Sequence, residues 1–174
     1  MSVNALRVQN RLNASDSAQL AVTVTDKYEM KALIQRVSSA KVDVDKQTVG
    51  AIGQGLLVLL AVEKHDSKSH AEKIAHKLLN YRVFADDGDK MNLSVRDIDG
   101  GLLIISQFTL AASTDKGMRP SFSSAAEPTL AKSCYDYCVS KLKEQHRSVE
   151  TGIFAADMQV HLVNDGPVTF LLEV

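Results

Sequence analysis

Seven consecutive apolar residues, Leu56-Leu57-Val58-Leu59-Leu60-Ala61-Val62, constrain this chain more than any other segment. The run is far too short to cross a bilayer and follows a stretch punctuated by Gly50, Gly53 and Gly55, so it predicts a buried strand. A second run, Leu102-Leu103-Ile104-Ile105-Ser106-Gln107-Phe108, predicts another, whose end opens into a long Ser/Gly/Pro loop over residues 111–124. Two strands hidden from water need a proper core. The 174 residues, 45% of them hydrophobic, are enough for one ordinary globular domain. With 5% aromatics and no Trp, that core must be aliphatic.

Strand signals dominate the rest of the chain from Met30 onward. Residues 32–37 and 40–45 alternate or carry β-branched side chains. Residues 158–163 and 168–174, separated by Asn164-Asp165-Gly166, carry a hairpin signal. Two helices interrupt the strands. The first is expected to start at Ser69-His70-Ala71-Glu72, which has capping-box spacing, and to bury Ile74, Ala75, Leu78 and Leu79. The second begins near Glu127-Pro128, with a core stripe of Leu130, Cys134, Tyr137, Cys138 and Leu142. The class is therefore α+β, with a curled, barrel-like sheet and two main helices. Residues 1–29 differ in texture and are expected to form a poorly ordered N-terminal extension, leaving a functional domain over residues 30–174. They hold no continuous apolar stretch, so neither a secretory signal nor a membrane anchor is expected, and the chain reads as cytoplasmic.

The net charge of −1 argues against a long nucleic-acid clamp and for a small footprint or none. Cys134 and Cys138 lie one helical turn apart without a second ligand pair, which favours a core role over a metal half-site. Asp86-Asp87-Gly88-Asp89 lacks the spacing of a calcium loop and reads as a solvated turn. The five histidines fall in no triad or metal motif, and His161, in the final strands, reads as a surface or packing residue. No phosphate loop, nucleophile elbow or dinucleotide fingerprint is present, so no metal or cofactor is called for.

Two segments are unusually polar or constrained for where they lie. Ser106-Gln107-Phe108-Thr109-Leu110 brings hydrogen-bonding groups to the rim of the core. It is equally compatible with a strand end satisfying its own backbone and with a pocket floor presenting donors to a ligand. In Asn164-Asp165-Gly166-Pro167-Val168-Thr169, Pro removes a ladder donor and Gly admits backbone angles that other residues avoid. Local chemistry alone makes this an ordinary turn.

Taken together and in this order, the two segments resemble the signature motifs of the D-aminoacyl-tRNA deacylase family. The resemblance covers essentially all of residues 30–174. It extends to Ile34-Gln35-Arg36-Val37, Lys90-Met91-Asn92-Leu93-Ser94, Gly117-Met118-Arg119-Pro120-Ser121-Phe122-Ser123 and Thr151-Gly152-Ile153-Phe154-Ala155-Ala156-Asp157-Met158.

That resemblance implies a homodimeric hydrolase with active sites at the subunit interface. It implies a cis Gly166-Pro167 corner that enters the partner's pocket as a chirality filter, with Arg36 helping to hold it. Ser106, Gln107, Phe108 and Thr109 would line the pocket for the aminoacylated terminal adenosine of tRNA. The reaction implied is hydrolysis of the ester of D-aminoacyl-tRNA, with Gly-tRNA slipping through because glycine has no side chain to exclude. Thr109 has no base beside it in sequence, so backbone N–H groups around Phe108 and Thr109 are expected to stabilise the oxyanion, assisted by the tRNA 2′-hydroxyl. The partner is the acceptor end of tRNA, whose phosphates Lys116 and Arg119 would meet; Lys132, Lys141, Lys143 and Arg147 read rather as a solvated helix face. Two alternatives stand beside this reading. One is a relative that edits L-alanyl-tRNA, although Phe108 and Val168 fit the D-specific motifs better. The other is a non-catalytic module that binds the tRNA end.

Overall fold

The structure, a computed structural model, describes residues 30–174, so the expected extension over 1–29 lies outside the described residues. Its frame is one curled sheet. β1 (Lys31–Val44) pairs antiparallel through its first half with β3 (Gly55–Ala61) and through its second half with β2 (Gln47–Ile52). β3 then pairs parallel with β6 (Gly101–Ser106), and β6 parallel with β7 (Val149–Thr151). The two ends of this order, β2 and β7, come together and nearly close a barrel. A Cβ on Gly50 of β2 would lie 2.6 Å from the Thr151 carbonyl oxygen of β7, so only glycine permits that approach. A small hairpin, β4 (Phe84–Ala85) with β5 (Met91–Leu93), stands outside the sheet.

The apolar runs are explained by what covers each face. Leu56, Val58 and Leu60 of β3 and Leu102 and Ile104 of β6 pack outward under α1 (Lys68–Asn80) and α2 (Pro128–Gln145). The alternate residues Leu57, Leu103 and Ile105 fill the barrel with Val37, Val42 and Ile52. Both faces exclude water, so both must be apolar. Full burial of each such side chain contributes about 1.5–3 kcal/mol.

The local expectations meet several corrections. The N-cap of α1 lies two residues earlier than the expected Ser69. Ser67 is its N-cap, and the Ser67 N–H donates to His70 Nδ1 at 3.1 Å, the imidazole taking the acceptor role expected of Glu72. Glu72 instead accepts from the Tyr137 hydroxyl across the two helices. On α2 the start at Pro128 holds, but Tyr135 is buried where Leu130 and Tyr137 are only partly covered. The Cys138 thiol is pushed up to about 12 by burial, and Cys134 is raised by the same cause, as suits core residues.

The largest correction concerns the C-terminus. Instead of a hairpin, β8 (Gln159–Glu173) is one strand that runs antiparallel along nearly all of β1. The pairing steps from Gln35↔Thr169 to Val37↔Asn164, so residues 165–168 sit opposite Arg36 alone. The Gly-Pro segment is therefore a bulge. Pro167 withholds a ladder donor, the extra residues loop out, and the strand continues in its original direction.

Asp86 caps its own turn, accepting from the N–H groups of Gly88 and Lys90, as a solvated turn should. His161 lies on the surface with Nε2 3.2 Å from Asp43. Among the described residues no helix is long and apolar enough to cross a membrane.

Candidate active site

The parallel pair β3 and β6 ends at a common edge, where Ser106 lies beside Leu60. Pairing continues for one more bond, Gln107 N–H to the Leu60 oxygen at 2.8 Å. The chain then tightens into a 3-10 turn over Phe108–Ala111, so the strand stops at Ser106 rather than reaching Phe108. The turn closes with Leu110 N–H on the Gln107 oxygen at 3.2 Å and Ala112 N–H on the Thr109 oxygen at 3.1 Å. The first donors of any helical turn lack internal partners. Here these are the N–H groups of Phe108 and Thr109, which find no acceptor among the described residues. The Thr109 hydroxyl accepts from Gln107 Nε2 at 2.6 Å, and no carboxylate or imidazole bonds to it among the described residues.

Behind this rim lies a cavity of about 490 Å³. Ser106, Gln107 and Phe108 form one lip. Leu60, Val62, Tyr135, Phe154, Ala155, Ala156 and Met158 supply most of the remaining wall. The Tyr135 hydroxyl is not free for chemistry. It donates to the Ile104 oxygen at 2.8 Å, and burial pushes its phenol well above the ordinary value. The wall is thus mainly apolar with polar groups concentrated at one edge, an arrangement suited to a small organic group held beside hydrogen-bond donors. The wall segment 154–158 was not singled out as a site by residue chemistry. Its one unusual feature, a positive φ of 62° at Ala155, is a property of the folded backbone. Outside the rim the exposed ring of Phe108 leans on Phe122, with centroids 5.2 Å apart and planes at 46°.

The second motif lies elsewhere. The Gly166-Pro167 bond is cis, and both residues are exposed. Arg36 holds the corner from beneath. Its Nε donates to the Asp165 oxygen at 3.1 Å, and its Nη1 to the Val83 oxygen at 2.7 Å. The Asp165 carboxylate sits 3.3 Å from the same Nε. On the far side, Asn164 Oδ1 accepts the Val168 N–H at 3.1 Å. A Cβ on Gly166 would fall 2.8 Å from Arg36 Nη2, and its φ of +124° is one that side chains avoid.

The structure therefore gathers Ser106, Gln107 and Phe108 at the cavity and Arg36, Gly166 and Pro167 at the corner. None of Arg36, Gly166, Pro167 or Thr109 lines the cavity of its own chain. Two lysines of α2 and Arg147, which follows the helix, are paired with carboxylates. Lys132 pairs with Asp136 at 2.6 Å, Lys141 with Glu144 at 2.8 Å, and Arg147 with Asp99. Among the described residues no cluster of His, Cys, Asp and Glu is arranged to hold a metal.

Comparison with known proteins bears on the family and the fold. Residues 33–173 match the family model described as D-Tyr-tRNA(Tyr) deacylase. The chain is 61% identical over 145 residues to a D-aminoacyl-tRNA deacylase of Pseudomonas putida, covering 83% of this chain and 100% of that protein. Among solved structures it is similar to a c-Myc DNA unwinding element binding protein, at 39% identity and a TM-score of 0.80, over 83% of this chain and 98% of the other. A probable eukaryotic D-amino acid tRNA deacylase shares the fold at 16% identity and a TM-score of 0.73, over 83% of this chain and 99% of that one.

Proposed function

The chain belongs to the D-Tyr-tRNA(Tyr) deacylase family and hydrolyses the ester of D-aminoacyl-tRNA, and on that premise we propose that the Gly166-Pro167 corner of one subunit filters chirality in the cavity of another. One observation carries the proposal. Corner and cavity are both built, yet within a single chain they do not meet. A homodimer is further supported by β8, which pairs only with β1 and leaves its other edge open among the described residues. That strand exposes Leu162, Val163, Phe170 and Leu171, an apolar band suited to a second copy.

In this reading the terminal adenosine of tRNA enters the cavity and its ester carbonyl lies at the Ser106–Thr109 lip. The rigid corner of the partner meets whatever the α-carbon directs toward it. A D-residue directs hydrogen there, whereas an L-residue directs its side chain and is excluded by repulsion. Glycine passes, so Gly-tRNA is also cleaved. Water attacks the carbonyl carbon, the charge that develops on its oxygen is met by the Phe108 and Thr109 N–H groups, and the ester C–O bond breaks to release a free D-amino acid and tRNA. Among the described residues no side-chain base adjoins Thr109, and the tRNA 2′-hydroxyl assists the attack in its place. Since aminoacyl-tRNA is the substrate, the work is assigned to the cytoplasm.

Incubation with D-Tyr-, L-Tyr-, L-Ala- and Gly-tRNA tests the filter: loss of the D-Tyr and Gly esters alone is expected, whereas turnover of L-Ala-tRNA would favour the L-alanyl-editing relative. Mixed dimers test its location. A leaky corner variant combined with an Ala156→Trp cavity-blocked variant should regain D-selectivity, because the intact cavity then receives an intact corner. Persistence of the leak would place corner and cavity in one subunit.

A further inference from the structure

We infer that the aromatic pair Phe108–Phe122, with the loop that carries Phe122, is a docking surface for the unpaired end of tRNA just before its terminal nucleoside. In this arrangement the Phe122 ring stacks on the penultimate base, and Lys116 and Arg119 meet the adjoining phosphates. This rests on the reading of the cavity as the seat of the terminal aminoacyl-adenosine. A cavity of about 490 Å³ is of the size that encloses one drug-sized ligand, so the preceding nucleotide must leave over the rim. Phe108 is part of that rim.

Beside the cavity, two phenyl rings are left in water. Phe108 is 61% exposed and Phe122 43% exposed, although they contact each other. Apolar rings at the mouth of a nucleotide cavity are the usual partners of unstacked bases. The loop around them is anchored. Ser113 and Ser121 exchange backbone hydrogen bonds of 2.8 and 2.9 Å, Lys64 N–H reaches the Ser124 oxygen at 3.0 Å, and Ala126 N–H reaches the Val62 oxygen at 3.1 Å. Phe122 is therefore presented from a fixed frame, which lowers the ordering cost of binding.

Charge selects the occupant. Lys132 and Lys141 of α2, and Arg147 just beyond its end, are each spent on a carboxylate. Lys116 and Arg119, in the exposed loop, form no ion pair among the described residues, and the neighbouring Asp115 carboxylate accepts from the Ser113 hydroxyl at 3.0 Å. Two cations beside an exposed aromatic pair, continuous with the cavity, fit a short single strand better than a protein partner.

The test compares D-tyrosyl-adenosine with the D-tyrosylated trinucleotide of the tRNA 3′ end. The wild-type chain should prefer the trinucleotide in kcat/KM. Phe122→Ala should lower that preference about tenfold, the scale of one base–aromatic stack, and Phe122→Tyr should restore it. On whole D-Tyr-tRNA, the double variant Lys116→Ala/Arg119→Ala should reduce the slope of log kcat/KM against log salt by about 1.4. An unchanged trinucleotide preference in Phe122→Ala overturns the inference. So does an equal loss on both esters together with new cleavage of L-Tyr-tRNA, which would make the aromatic pair a seat for the partner's corner. Failure of wild-type protein to cleave either ester would instead sink the underlying reading of the cavity.

Discussion

Replacing Arg36 with Met removes the guanidinium beneath the corner while keeping an unbranched stem of similar bulk. Arg36 donates to the oxygens of Asp165 and Val83 at 3.1 and 2.7 Å, and its side chain is only 15% exposed. A hydrogen bond from a charged group contributes about 1.5–3 kcal/mol. The Asp165 carboxylate shares Nε with the first bond and is 52% exposed, so that ion pair adds at most a few tenths of a kcal/mol. The total is about 3–6 kcal/mol, of which the bond to Asp165, about 2 kcal/mol, grips the corner itself. At 1.4 kcal/mol per factor of ten, loosening that grip should relax exclusion of L-substrates by up to about 30-fold. The thermal midpoint should fall by about 10 °C. Release of labelled tyrosine from D-Tyr- and L-Tyr-tRNA, measured on one preparation alongside a thermal melt, reads both quantities. Arg36→Lys should fall between, since an ammonium offers a point charge rather than a fork spanning two carbonyls. If the melt shifts as expected while the L/D ratio stays within twofold of wild type, the corner does not depend on Arg36 for selectivity and the reasoning fails.

Three further outcomes follow from the same geometry. Thr109→Ala should lower kcat less than about tenfold, because its hydroxyl has no adjoining base among the described residues, and abolition of turnover in a folded variant would make the hydroxyl essential. Tyr135→Phe should cost about 1 kcal/mol and about 2–4 °C in melting, since the Ile104 oxygen keeps its bond from Gly152 N–H at 3.2 Å; no measurable change would contradict the buried hydrogen bond. Burial holds Cys138 at about 12 against an ordinary 9.0 and raises Cys134, so iodoacetamide at pH 8 should spare both thiols until the chain unfolds. The folded state grips the Cys138 proton more tightly than the unfolded one. Its contribution to stability should therefore be complete below pH 9 and decline between 9 and about 12, and urea midpoints that do not move across that window would refute it.

Much of the fold was legible because it is written in local patterns. The runs at 56–62 and 102–108 marked the central strands, since water exclusion on both faces demands uninterrupted apolar residues. The stripe Ile74, Ala75, Leu78 and Leu79 marked the first helix by its period. The helix start was misjudged by two residues, because Ser69 has the spacing to Glu72 that a capping box expects, whereas the cap is Ser67 with His70 as the acceptor. Of the site, resemblance singled out both motifs and Arg36, while the wall at Phe154–Met158 carried no chemical signature of its own.

The C-terminal strand divides what each level determines. The sequence by itself marked residues 158–163 and 168–174 as extended and Asn164-Asp165-Gly166-Pro167 as what interrupts them. Whether the interruption reverses the chain or bulges it was decided only by pairing with β1, where residues 165–168 bow out over Arg36 and the strand runs on. That choice is non-local, because the backbone donors of β8 are satisfied by β1 more than a hundred residues earlier, and no window of sequence around the Gly-Pro pair contains them. The same pairing leaves the corner exposed and outside the cavity of its own chain.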